Sequence, residues 1–169
     1  MFATARGRLA WSGVCYAILL LVGLVACGTS GARGVTSASL TTDTQSAQFA
    51  TDAEKITFLR RYITLFSAVQ ATEFHIVYQD NAGGAVPGPS DWDMRVALKV
   101  APADVSAWTD GLQEIDGAGV DLSWGSDLVP DASRWAHTSP PRVYERAGGG
   151  VIVAMFASEG VILKHIWTT

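Results

Sequence analysis

Residues 92–100 read WDMRVALKV, and this stretch decides the fold class. All of its even positions are apolar, whereas three of its odd positions carry the charged residues Asp93, Arg95 and Lys99. A period of two predicts a strand with one face in the core and the other toward solvent. Residues 74–79 show the same alternation, so the two strands are predicted to pair in antiparallel fashion.

Three more strands are predicted in the C-terminal part, over residues 143–146, 151–156 and 161–167. The strand at 151–156 is apolar on both faces, which indicates a central position in the sheet. Residues 157–160 predict a hairpin turn in which Gly160 supplies the positive φ that such turns require.

Two helices are predicted from local signals at their starts. Thr51 and Glu54 fit a capping box, and apolar residues at spacings of three and four extend this helix to about Thr72. Pro102 suits the first turn of a second helix, which runs to about Ile115.

The order of these elements indicates an α+β fold. Residues 118–141 have no sustained period and are predicted to form a long packed loop. We therefore expect a single small domain over residues 52–169, with a mostly antiparallel sheet of about five strands and two helices that cover one face.

The N-terminal segment carries the pattern of an export signal. Arg6 and Arg8 precede an apolar run, and residues 24–28 read LVACG. This pattern resembles the lipobox of bacterial lipoproteins, in which a lipid is attached to the cysteine and the signal is cut before it. The resemblance implies cleavage between Ala26 and Cys27, a lipid on Cys27, and a membrane-anchored location in the bacterial cell envelope. The globular part resembles uncharacterised bacterial lipoproteins.

The resemblance also implies how the chain is organised. A signal peptide (1–26) precedes a lipidated, flexible tether rich in Gly, Ser and Thr (27–51), which leads to the domain (52–169). Gly28, where an inner-membrane lipoprotein tends to have Asp, implies an outer-membrane location facing the periplasm if the source is diderm. An uncleaved transmembrane helix stays open as an alternative, because the apolar run of residues 9–27 approaches the roughly 20 residues that cross a bilayer.

Charge and cysteine content exclude several classes of function. Loss of residues 1–26 leaves 10 basic and 16 acidic side chains, a net charge of −6. Nucleic-acid binding depends on clustered Lys and Arg, so no nucleic-acid partner is expected. Both cysteines, Cys15 and Cys27, lie in the N-terminal segment, so the domain has no disulfide and no thiol for catalysis or zinc binding.

The loop of residues 80–93 is the first candidate contact site. Asp80, Asn81, Asp91 and Asp93 bring four oxygen-bearing side chains to a turn rich in Gly and Pro. Calcium takes oxygen ligands, but the spacing fits no calcium loop, and the same residue types form ordinary turns. Because long loops in compact domains are often functional, contact with another envelope protein is predicted in preference to a metal site.

Other candidate residues lie outside this loop. Trp124 and Trp135, in the predicted packed loop, either anchor a partner or seal the loop onto the core, and sealing is favoured. His75, His137 and His165 lack metal-ligand spacing, and the chain has no nucleophile, phosphate-binding or metalloprotease motif. No enzymatic activity, metal or cofactor is therefore expected.

Three hypotheses follow for the function. The leading one is a lipid-anchored envelope lipoprotein that acts as a non-enzymatic protein-binding module, with an immunity or inhibitor role as one specific form. One alternative is a small-ligand-binding or hydrolytic envelope protein that uses His75, His165 and the loop aspartates. This alternative requires those side chains to converge in space. A structural envelope component is the third possibility.

Overall fold

The computed structural model of the protein describes residues 40–82, 88–129, 131 and 133–168. The predicted signal segment, Ala26 and Cys27 lie outside these residues. The strands are β1 (Leu40–Gln45), β2 (Val69–Asp80), β3 (Asp91–Val100), β4 (Gln113–Ile115), β5 (Arg142–Glu145), β6 (Val151–Phe156) and β7 (Val161–Trp167). The helices are α1 (Asp52–Leu59) and α2 (Trp124–Leu128), with 3-10 helices at Ser46–Gln48 and Pro102–Thr109.

Within the described residues, the seven strands form one sheet in the order β1-β2-β3-β7-β6-β5-β4. All neighbouring strands run antiparallel, which confirms the α+β class with a mostly antiparallel sheet. The predicted count of about five strands is an undercount, because β1 and β4 were missed. β1 lies in the segment predicted as a tether, and β4 lies in the predicted second helix.

Neither missed strand has the pattern of a half-buried strand. β1 reads LTTDTQ, and β4 is three residues long. Both are edge strands that pair with one neighbour only. Backbone hydrogen bonds hold an edge strand in place, and they require no alternation of apolar side chains.

The first helix begins at the predicted residue but ends at Leu59 instead of near Thr72. Its capping box is formed: the Glu54 amide donates to Thr51 Oγ1 at 3.2 Å, and the Thr51 amide donates to the Glu54 carboxylate at 3.1 Å. From Val69 onward the chain is β2, which pairs with β3 over nearly its whole length. Pairing in the sheet overrides the helical spacing of residues 69–72, because strand preference depends on cross-strand packing more than on local pattern. Residues 60–68 form turns and loop.

The second predicted helix is a 3-10 helix that begins at Pro102, as expected, and ends at Thr109. Gly111 has a φ of 71°. This left-handed conformation costs glycine little, and it redirects the chain into β4. No helix in the described part of the chain is long and apolar enough to cross a membrane.

Both faces of the sheet are covered. The first face carries even-numbered apolar side chains of the central strands, such as Phe74 and Val96, and packs against α1 and the 3-10 helix at Pro102–Thr109. The second face packs against the segment that contains α2 and Trp135. The two predicted helices therefore lie on one face, as expected, whereas α2, in the segment predicted as a packed loop, covers the other. Small side chains let α2 approach closely, since a Cβ on Gly125 would lie 2.5 Å from the side chain of Leu163.

A carboxylate in the β6–β7 turn gives the domain a predicted pH dependence. Glu159 accepts hydrogen bonds from the amides of Thr138 and Ser139 at 3.1 and 3.0 Å and from the Ser139 hydroxyl at 2.6 Å. These bonds, led by the Ser139 side chain, lower the pKa of Glu159 to about 2. Because the folded-state pKa lies below the unfolded one, the stabilisation is present above the ordinary glutamate pKa and is lost as pH falls toward 2.

We expect Glu159→Gln to weaken this loss of stability in acid. The measurement is urea unfolding of both proteins at a series of pH values from about 5 down to about 2. The difference in free energy of unfolding between wild type and variant should shrink as pH falls. Parallel curves over this window would show that Glu159 does not control the acid sensitivity.

Candidate functional site

The second face of the sheet brings three basic side chains into one row across its strands. In the registers of β2 with β3 and of β3 with β7, Arg95 lies opposite His75 on one side and opposite His165 on the other. Residues directly opposite one another in antiparallel strands share a face. The two histidines that the sequence left on separate strands therefore flank a single arginine.

Each histidine in the row contacts a carboxylate. His75 Nε2 lies 2.9 Å from Asp43 Oδ1, and His165 Nε2 lies 3.2 Å from Asp93 Oδ2. Each contact uses one ring nitrogen and restricts the orientation of the imidazole. In the described part of the chain, neither imidazole hydrogen-bonds to a hydroxyl group.

Arg95 lies at the centre of the row and is surrounded by acids. Its Nε is 3.2 Å from Asp93 Oδ1 and is buried, without a well-oriented hydrogen bond to any residue that the structure describes. Hydrogen bonds from Ser123 lower the pKa of Asp121, and the charge of Arg95 lowers it further. Asp93 on β3 thus contacts Arg95, and Asp121, in the segment that leads into α2, lies within range of its charge.

A cleft of about 320 Å³ lies beside this row, between β2, α1 and α2. At its base, Glu73 is buried and accepts hydrogen bonds from Ser46 Oγ at 2.5 Å and from Lys55 Nζ at 2.7 Å. These contacts join β2 to α1 and to the 3-10 helix at Ser46–Gln48. Arg95, Trp124 and Asp127 also line the cleft.

A second hollow of about 390 Å³ lies near the other end of the row. Asp91, Asp93, His165 and Trp167 are among the residues that line it. The ring centroid of Trp167 is 4.8 Å from that of His165. Asp93 is within contact distance of both Arg95 and His165, so it connects the two hollows.

Most of the predicted loop residues close the β2–β3 hairpin. Asp80 Oδ1 accepts a hydrogen bond from the Ala82 amide at 2.9 Å. The Asn81 amide group donates to the Pro89 carbonyl and to Asp91 Oδ2, both at 2.8 Å. Residues 83–87 lie outside the described residues. The described part of the chain contains no group of three or more His, Cys, Asp or Glu side chains placed to hold a metal ion.

The two candidate tryptophans have different environments. Trp135 is 2% exposed and packs in the core of the second face, which is the sealing role that the sequence favoured. Trp124 is half-buried at the start of α2, and its ring lies 5.7 Å from the ring of His165. Of these two tryptophans, only Trp124 therefore borders the row of basic side chains.

Charge is the main property of this surface. Among the described residues that line the two hollows or interact with the row, two are lysine or arginine, Lys55 and Arg95, and six are carboxylates, of which Glu73 is buried. We use the name acidic face for the row of His75, Arg95 and His165 together with these carboxylates. The carboxylates are Asp43, Glu73, Asp91, Asp93, Asp121 and Asp127.

Sequence reasoning singled out only part of the acidic face. It identified Asp91, Asp93 and Trp124, but not Glu73 or Arg95. The one sequence signal for Arg95 was its odd position in residues 92–100, where the apolar even positions face the opposite side of the strand. Comparison with family models, with curated proteins and with solved structures found no match. Evidence for a function therefore comes from the geometry and charge of the acidic face.

Proposed function

We propose that the protein is a lipid-anchored lipoprotein of the cell envelope whose domain binds another envelope protein through the acidic face. One observation carries the proposal: the predicted contact loop of residues 80–93 and the predicted packed loop of residues 118–141, which contains the candidate Trp124, meet there. Asp91 and Asp93 come from the first segment, and Asp121, Trp124 and Asp127 come from the second. The two segments are distant in sequence.

The chemistry of the acidic face supports a basic partner surface. Its carboxylates exceed its fixed positive charges, and complementary charge speeds association and selects partners. Trp124 and Trp167 are half-buried and flank His165. Partly exposed tryptophans often provide the anchors of protein interfaces. An immunity or inhibitor role is one form that this binding could take.

Binding of a small ligand is the second candidate, favoured by the row of His75, Arg95 and His165. The neighbouring cleft, about 320 Å³, is at the lower end of the range for small-molecule sites. A free guanidinium edge can bind a carboxylate or phosphate group in bidentate fashion. The surplus of carboxylates around Arg95 opposes an anionic ligand, which is why protein binding is our leading proposal.

Site-specific photo-cross-linking in native cells tests the leading proposal. A photoreactive residue at Ser126, which is exposed on α2 beside Asp127, should give a discrete protein adduct. The same residue at Ala107, exposed on the 3-10 helix of the first face, should not give that adduct. Asp121→Asn combined with Asp127→Asn should weaken the adduct, because attraction to a basic partner falls with the charge.

A matched pair of substitutions controls for net charge. Asp110→Asn combined with Asp116→Asn removes two exposed carboxylates away from the acidic face and should leave the adduct unchanged. Equal weakening by the two pairs would contradict the proposal. Absence of an adduct from Ser126, with the same protein present and folded in the envelope, would favour the small-ligand candidate.

A further inference from the structure

The first face of the sheet carries a second surface, at the turn that follows α1. We propose that this surface, formed by Arg60, Arg61, Tyr62 and Trp92, docks the domain onto a membrane that contains anionic lipids. The inference rests on the proposed lipid anchor at Cys27, and it is independent of the acidic face. We call these four residues the arginine–aromatic edge.

The edge combines exposed charge with exposed aromatic surface. Arg60 and Arg61 are exposed, and 39% of Tyr62 is accessible to solvent. The ring of Tyr62 lies 5.8 Å from that of Trp92, which in turn lies 4.4 Å from that of Tyr78. A shallow hollow of about 420 Å³ beside them is lined by Arg61, Tyr62, Trp92, Met94, Ile166 and Thr168.

No described carboxylate neutralises the charge of either arginine, and the Arg61 guanidinium lies 5.7 Å from the centroid of the Phe58 ring. Neither forms an ion pair with any residue that the structure describes. By contrast, three of the four other arginines in the described residues contact carboxylates, namely Arg95, Arg134 and Arg142, whereas Arg146 does not. Arg60 and Arg61 are also the only adjacent pair of lysine or arginine residues in the chain. Such a pair stands out in a domain with an acidic net charge.

The described chain begins at the end of the sheet that carries this edge. Leu40, the first described residue, pairs with Asp80, and Thr42 pairs with Tyr78, which pairs with Trp92. β1 therefore begins at the same end of the sheet as Trp92. Twelve residues separate Cys27 from Leu40. At the reach of an extended chain, they keep that end within roughly 40 Å of the lipid.

This chemistry matches a lipid surface. Tyrosine and tryptophan are enriched at the level of the headgroups, where the ring is partly apolar and the polar tip stays hydrated. Arginines near an anionic bilayer are attracted to it over about a Debye length. A tether raises the effective concentration of the edge at the membrane, so a weak contact is enough. The acidic face lies on the other side of the sheet and stays free for a partner.

The test uses the full, processed protein in vesicles of phosphatidylcholine, with or without phosphatidylglycerol. A nitroxide label is attached at Thr64→Cys, a position exposed just beyond the edge. Docking is measured as protection of this label from a water-soluble relaxation agent. We expect protection only with phosphatidylglycerol and loss of protection in high salt. Arg60→Ala combined with Arg61→Ala should lower the ratio of docked to undocked protein roughly 30-fold.

Two controls separate docking from other effects. A label at Ser126→Cys, exposed on α2 over the second face, should stay accessible in both vesicles. Arg134→Ala combined with Arg142→Ala removes the same charge elsewhere and should leave the protection intact. Mass spectrometry of Cys27 tests the proposed anchor separately. An unmodified cysteine would contradict the anchor and, with it, the docking proposal. A lipidated chain with an accessible label at position 64 overturns the docking alone.

Discussion

Replacement of Trp135 with alanine is expected to lower the free energy of unfolding by about 3–5 kcal/mol, as for other large aromatic residues in protein cores. Trp135 is 2% exposed and belongs to the core of the second face. Its neighbours in that core include Ala71, Ala97 and Ala154, whose small side chains leave the indole ring to fill the space above the strands. Removal of the ring would leave a cavity that these neighbours cannot close.

Urea unfolding of the purified wild-type and Trp135→Ala proteins measures this loss of stability. Trp124→Ala provides the comparison. Trp124 is half-buried beside His165, so its replacement is expected to cost less stability than that of Trp135. In the proposed function, Trp124→Ala should instead weaken the cross-linked adduct from Ser126. If the two alanine variants lost equal stability, the division between a sealing and a contacting tryptophan would be wrong.

Gly160→Ala is expected to cost about 3 kcal/mol or more, from backbone strain and steric overlap together. Gly160 has a φ of 66°, in the left-handed region that disfavours residues with a Cβ. A Cβ at this position would lie 2.2 Å from the Val100 carbonyl oxygen. The Val100 amide also donates to the Gly160 carbonyl at 2.9 Å, so the turn cannot move away without loss of this bond.

Gly149→Ala is the matched control for the conformational part of this cost. Gly149 has a φ of 85°, and no described atom beyond its chain neighbours lies within 4 Å of a Cβ placed there. Its replacement therefore carries the left-handed penalty alone, about 1–2 kcal/mol. The difference between the two variants, measured by urea unfolding, isolates the overlap with Val100. Similar losses for both would show that the β6–β7 turn can relax.

Trp135→Ala and Gly160→Ala are expected to destabilise the domain for a related reason. Trp135 packs a covering segment onto the small side chains of the second face, and Gly160 lets the β6–β7 turn approach the backbone of Val100. Gly125 follows the same rule on α2, where a Cβ would overlap the side chain of Leu163. The domain thus depends on close approach at specific points, in addition to the apolar area that it buries.

Local signals in the sequence were sufficient for the elements that bury one face by a regular pattern. β3 follows from the alternation in residues 92–100, and the start of α1 follows from the hydrogen bonds between Thr51 and Glu54. The same signals predicted the α+β class and antiparallel pairing. They predicted the wrong end for α1, because residues 60–72 satisfy helical spacing, whereas in the structure residues 60–68 form turns and loop and residues 69–72 belong to β2.

The candidate site depended on information that no local pattern contains. The sequence indicated Asp93, His75 and His165 as separate candidates, but their relation to Arg95 is set by register, and a shift of one residue would move each to the opposite face. Glu73 lay between the predicted first helix and the predicted strand at residues 74–79, so no pattern singled it out. Its burial depends on Lys55 and Ser46, which come from two other elements.

By itself, the amino-acid sequence determined the strand alternation, the helix cap and the acidic composition, because each of these depends on residues near one another in the chain. It also carries the lipobox pattern at Cys27, on which the proposed anchor rests. Only the tertiary structure decided that β1 and β4 join the sheet and that His75 and His165 flank Arg95. Pairing between distant strands costs loop-closure entropy that is recovered only when the whole sheet forms, so local sequence cannot report it.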